Sequence, residues 1–194
     1  MQQQIITTPD PRLREKALKV KEISEDIHEI IRDMVEISIE WEKHHPNEIT
    51  AAMAAPQMGV LQRIIIIRDD LGDPKNKSFT ALINPEIIRQ EGDIKTDYEG
   101  CLSVPNSIYG LIPRHTKVKV KALLEDGTEV RIKAEDSLAR TLLHEIDHLD
   151  GILFIDYIRG QKDAFYRLNP HNDIEPIADY QTEIADNKDL WSDA

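Results

Sequence analysis

His144-Glu145-Ile146-Asp147-His148 is the stretch of this sequence whose residue types and spacing best fit chemistry. On a helix, histidines four apart lie one above the other on one face, where both can reach a single metal ion. Glu145 then sits beside them, outside the ligand set, where a carboxylate can take and return a proton. A metal held by two histidines and one further protein ligand keeps a position open for water and lowers its pKa from about 15.7 to about 7. That is hydrolytic chemistry. The competing reading of so short a match is an accidental pair of surface histidines.

The third ligand decides which hydrolase this would be. In the extended pattern H-E-x-x-H-x-x-G-x-x-H, Gly151 is in place but Phe154 occupies the last histidine position, so that class is excluded. A glutamate ligand after His148 would have to be Glu175 or Glu183, both in a polar stretch. The better candidate is Cys101, the one cysteine, whose soft thiolate suits zinc or ferrous iron. It follows Gly100, which permits close approach of another chain segment. The alternative for Cys101 is a small buried hydrophobe.

These groups need elements to hold them. From Ser24, a cap residue, Ile27, Ile30, Ile31, Met34, Ile37 and Trp41 recur at spacings of three and four, which predicts an amphipathic helix ending before Pro46. Residues 63–68 form a β-branched run expected as a strand buried on both faces, and 71–78, with Gly72 and Pro74, a turn. Residues 117–122 alternate strictly, Asp126-Gly127 marks a tight hairpin, and Val130 and Ile132 resume the alternation. Residues 134–149 lack Gly and Pro, with Asp136 or Ser137 as cap and Gly151 as stop, which predicts the helix carrying the histidines. The expected fold class is α+β, with antiparallel sheets packed around this central helix. Residues 1–170 are expected as a single catalytic domain and 171–194 as a loosely attached, acidic polar tail.

Composition narrows the function classes. With 194 residues, 24 Lys plus Arg and 36 Asp plus Glu, the net charge is -12, the wrong sign for tracking phosphates, so nucleic acid and anionic membrane are poor partners. No run approaches the roughly 18 apolar residues of a membrane span. The start lacks an apolar signal core and one cysteine cannot pair internally, from which a reducing, cytoplasmic location is expected.

Three separated segments resemble, in order, the three motifs of the peptide deformylase family: Met53-Ala54-Ala55-Pro56-Gln57, Glu99-Gly100-Cys101-Leu102-Ser103, and residues 144–151. Residues 9–14 and Ile112-Pro113-Arg114 look familial too, so the resemblance covers roughly 9–157. It implies that Cys101, His144 and His148 hold the metal and that Glu145 is the general acid and base. It implies that the Gln57 side chain and the Leu102 backbone amide stabilise the oxygen of the formyl group, as an oxyanion hole does. The implied activity is removal of the formyl group from the N-terminal formylmethionine of nascent polypeptides, near the ribosome, with release of formate. The implied cofactor is Fe2+, with Zn2+, Ni2+ or Co2+ able to replace it.

The resemblance also implies a peptide added as a strand against Ala51, Ala52 and Gly100. Tyr98, Thr141 and Leu138 are candidates to line the methionine pocket, and Glu99 and Arg114 a pair supporting the ligands. Thr50 and Ala52 stand where the first motif usually has glycines, Leu143 replaces a common glutamine, and one extra residue falls between Pro105 and Arg114. Two further readings remain open: a divergent amidase acting on another formylated or acylated amine, and an inactive metal-binding interaction module.

Overall fold

The computed structural model describes residues 4–45, 49–70, 73, 75–169, 171 and 173–191. The loop at Pro46, the expected turn residues Gly72 and Pro74, and Pro170 in the tail lie outside the described residues. In chain order the elements are α1 (Glu25–His44), β1 (Ala52–Ala54), β2 (Ile64–Arg68), β3 (Phe79–Gly100), β4 (Ile108–Leu123), β5 (Glu129–Glu135), α2 (Asp136–Leu149), β6 (Phe165–Leu168) and β7 (Ile174–Pro176), with short 3-10 turns between them. The class is α+β, as expected.

All strand pairs are antiparallel. The sheet runs β1-β2-β3-β4-β6-β7, and β5 also pairs with β4, so β1 is an edge strand. β4 carries β5 along one length, with Lys117 opposite Glu135, and β6 along another, with Tyr109 opposite Tyr166.

β2 explains why the sheet has two covered faces. Ile64 and Ile66 join Ile27, Ile31 and Met34 of α1, whereas Ile65 joins Leu142, Leu143, Ile146 and Leu149 of α2. Side chains alternate across a strand, so a run of four isoleucines feeds both layers. Each such isoleucine contributes about 1.5–3 kcal/mol of transfer free energy. α2 is thereby fixed against the sheet by one apolar face, and the opposite face of the same helix is left to present polar groups.

Several details correct the sequence reading. Ser24 occupies the α1 cap position but its side chain makes no capping hydrogen bond. Ala134 belongs to β5, and Glu135, not Asp136 or Ser137, occupies the cap position of α2, again without a side-chain capping hydrogen bond, because the ladder with β4 claims the chain up to that residue. Gly151, at φ 75, does follow the end of the helix. The hairpin between β4 and β5 turns through Gly127 at φ 82, with the Thr128 amide donating to Asp126 Oδ1 at 2.8 Å.

The expected loose attachment of the tail is corrected for its described residues. β7 pairs with β6, and Ile177, Ile184 and Leu190 are buried with Phe154, Ile158 and Phe165. Trp191 Nε1 donates to the Ile184 carbonyl at 2.6 Å. Apolar residues too scattered for a local pattern find their cover in another part of the chain.

Candidate active site

α2 presents His144, Glu145 and His148 toward the end of β3, where Cys101 follows Gly100. A Cβ on Gly100 would come within 2.7 Å of the Tyr109 ring on the paired strand, so glycine is what lets the strand close here and deliver the cysteine. Cys101 Sγ lies 3.1 Å from His148 Nε2. One ligand atom from each of Cys101, His144 and His148 falls within 4.8 Å of the others. The two imidazoles are 5.0 Å apart between centroids and cross at 75°.

His144 is oriented by Glu99, whose Oε2 lies 2.9 Å from Nδ1. A proton donated there fixes the tautomer and leaves Nε2 as the ring nitrogen on the Cys101 side. Glu99 is itself gripped by Arg114, at 2.9 Å from both Nε and Nη2, and by Arg140 Nη1 at 2.7 Å. Arg114 Nη1 donates to Asp147 at 2.5 Å, and the Tyr157 hydroxyl donates to the same carboxylate at 3.0 Å. Glu99 and Arg114, paired in the sequence reading, are thus joined by Arg140 and Asp147, which that reading missed. Arg140 is four residues before His144, a spacing that places it on the same helix face.

Burial alone would raise the Glu99 carboxyl, but hydrogen bonds from His144 and Arg114 outweigh it and hold its pKa at about 2. Glu145 has no such partners. Burial raises it to about 7, opposed by the charge of His144 and reinforced by those of Glu99 and Asp147, and among the described residues its Oε2 has no hydrogen-bond partner. Burial and the neighbouring His144 hold His148 well below the ordinary histidine value, in the neutral form a metal ligand needs. Burial opposes a proton on His144, yet hydrogen bonds to Cys101 and Glu99 raise its pKa well above the usual value. The same two neighbours would favour a divalent cation. One thiol, two imidazoles and an unpartnered buried carboxylate beside them fit a metal site.

Gln57 sits in the 3-10 turn Ala55–Met58 after β1. Its Oε1 accepts from the Ala54 amide at 2.8 Å, so its NH2 group must face the other way, 3.5 Å from Cys101 Sγ and 3.3 Å from Ser103 Oγ. Leu102, Ala51, Ala52, Gly100, Tyr98 and Thr141 all border one cleft of about 420 Å³ together with Cys101, His144 and Glu145. Leu138 does not; it is 41% exposed on the outer side of α2. Trp41 and His45, stacked at 3.9 Å at the end of α1, form a wall of the cleft that the sequence reading did not assign. Thr50 and Ala52 are not among the residues at positive φ, so both take angles open to a residue with a Cβ.

A thiol and two imidazoles brought to one point beside a helix-borne carboxylate define the class of single-site metal hydrolases on an α+β frame. Residues 2–164 match the family model described as polypeptide deformylase. A peptide deformylase of Thermomicrobium roseum is 44% identical over 171 residues, covering 84% of this chain and 89% of that protein. The structure of a Synechococcus elongatus peptide deformylase in complex with actinonin superposes with a TM-score of 0.70 at 34% identity, covering 81% of this chain and 79% of that one. A Met-Ala-Ser-bound class I type b peptide deformylase from Acinetobacter baumannii gives 0.69 at 28% identity, covering 79% and 96%. The chain belongs to the polypeptide deformylase family.

Proposed function

We propose that this protein hydrolyses the formyl group from the N-terminal formylmethionine of nascent polypeptides, and that Cys101, His144 and His148 hold the metal for the reaction. The observation that carries this reading is the convergence of those three donor atoms within 4.8 Å beside the buried, unpartnered Glu145 carboxylate. When bound, a divalent metal supplies Lewis acidity that brings the pKa of water down to about 7. A thiolate with two imidazoles suits ferrous iron and zinc alike, and the family resemblance favours Fe2+.

Glu145, whose pKa near 7 suits it to both roles, accepts a proton from the attacking water and returns it to the departing methionine nitrogen. The Gln57 NH2 group and the Leu102 amide donate to the formyl oxygen as it gains charge. Glu99, gripped by Arg114 and Arg140, keeps His144 from turning away. The peptide lies along the outer side of edge strand β1 at Ala51 and Ala52 and along Gly100, so that backbone hydrogen bonds bind chains of many sequences. Tyr98 and Thr141 border the space for the methionine side chain.

Residues 1–170 act as one catalytic domain, with the described part of 171–194 packed on it. We read its place of action as the cytoplasm, close to the ribosome. Among the described residues no helix is long and apolar enough to cross a membrane. The test is formate release from formyl-Met-Ala-Ser by protein loaded with ferrous iron without oxygen, beside Glu145→Gln. Release abolished in the variant supports the proposal; stoichiometric metal without release would favour the divergent amidase or the inactive binding module.

A further inference from the structure

We infer that Glu42 and Arg68 are positioning residues that hold the peptide-binding edge in place at Thr50 and Ala51, an inference that rests on the deformylase reading for what that edge binds. Neither residue touches the Cys101, His144 and His148 group. The Arg68 side chain is wholly buried and that of Glu42 nearly so, and the two form an ion pair between β2 and α1. Glu42 Oε1 also accepts from the Thr50 amide at 2.9 Å, while Arg68 Nε donates to the Thr50 carbonyl at 3.0 Å. One ion pair therefore takes both backbone polar groups of a single residue. The Arg68 amide donates to the Ala51 carbonyl at 2.9 Å, and the Thr50 hydroxyl reaches the Ser38 carbonyl at 3.5 Å.

A buried ion pair is a weak device for stability, because the cost of desolvating two charges offsets their attraction and an apolar pair of equal volume packs as well. An apolar pair cannot satisfy an amide and a carbonyl at once. The residues held this way, Thr50 and Ala51, continue into Ala52 and all three border the cleft. Hydrogen bonds to a peptide backbone weaken steeply with misalignment. Loosening the edge therefore weakens binding of every peptide alike while leaving Glu145 and Gln57 where they are. Such a loss appears in KM and not in kcat.

Replacing both charges together, Glu42→Leu with Arg68→Met, removes the clamp without stranding a buried charge. The expected result is a KM for formyl-Met-Ala-Ser raised about tenfold with kcat within about twofold of the unsubstituted enzyme. Lys77→Met breaks another ion pair to Glu42 but leaves the groups on Thr50 in place, so its KM should not move. An unchanged KM in the double variant, or an equal rise in Lys77→Met, overturns the inference. Amide hydrogen exchange in the unsubstituted protein reads the clamp even if the double variant does not fold. Slow exchange at Thr50 is expected, and exchange at the rate of an open chain overturns it. If the unsubstituted protein releases no formate, it is the deformylase reading that falls, and the exchange at Thr50 still decides the clamp.

Discussion

Glu99 Oε2 and His144 Nδ1 stand 2.9 Å apart although 45 residues separate them in the chain, one at the end of β3 and the other on α2. This contact ties the strand that delivers Cys101 to the helix that delivers both histidines. Because Arg114 and Arg140 hold the same carboxylate, the orientation of the imidazole is fixed by an ion-pair network that spans β3, β4 and α2.

Glu99→Gln should therefore lower metal affinity by about 10- to 100-fold, the usual effect of removing the partner that orients a histidine ligand. Competition with a chromophoric chelator measures it. Unchanged affinity would show that packing alone orients His144.

Glu145→Gln should keep the metal and lose at least about a hundredfold in turnover, the range expected for a general acid and base. Metal content and single-turnover formate release on the same sample separate the two effects. Full activity in the variant would sink the proposed role.

Cys101→Ser exchanges a soft thiolate for a hard, weakly acidic hydroxyl, so ferrous ion should be retained poorly while the fold persists. Metal analysis after anaerobic gel filtration checks this, with circular dichroism as the control. Retention of a full equivalent of iron would remove Cys101 from the ligand set.

Acid stability should depend on Glu42. Burial would raise its carboxyl, but hydrogen bonds from Lys77 and the Thr50 amide, with the charge of Arg68, leave its pKa below the ordinary 4.5. A pKa depressed on folding contributes stability that is complete above the unfolded value and disappears as pH falls toward the folded one. Urea midpoints should thus fall more steeply below about pH 5 in the unsubstituted protein than in Glu42→Gln. Parallel curves would exclude a contribution from this carboxylate.

The packing of the C-terminal segment predicts that Ile184→Ala costs about 2–5 kcal/mol, as for other buried isoleucines cut back to alanine. Chemical denaturation gives the value. A loss under about half a kcal/mol would mean that the segment contributes little to the fold.

The sequence alone determined what depends on local spacing. Histidines four apart must share a helix face, Asp126-Gly127 between alternating runs must turn, and isoleucines 64–67 must serve two apolar layers. Eliminating the other third ligands left Cys101, and the motif resemblance singled out Gln57, which no periodicity marks. Tertiary structure alone decided what depends on distant partners. No periodicity marks 79–100 as the strand β3, because much of it carries exposed, charged side chains without alternation and ladder hydrogen bonds rather than burial make the strand, while β4 starts at Ile108, well before the alternating residues 117–122. The Gln57 amide has its orientation only because the Ala54 amide claims its oxygen. Arg140 and Asp147 acquire their roles only once β3 and β4 bring Glu99 and Arg114 beside α2. Ile184 and Leu190 look solvated within an acidic stretch, and burial against Phe165 is a property of the folded chain, since the apolar surface that covers them is assembled from segments that do not adjoin them in sequence.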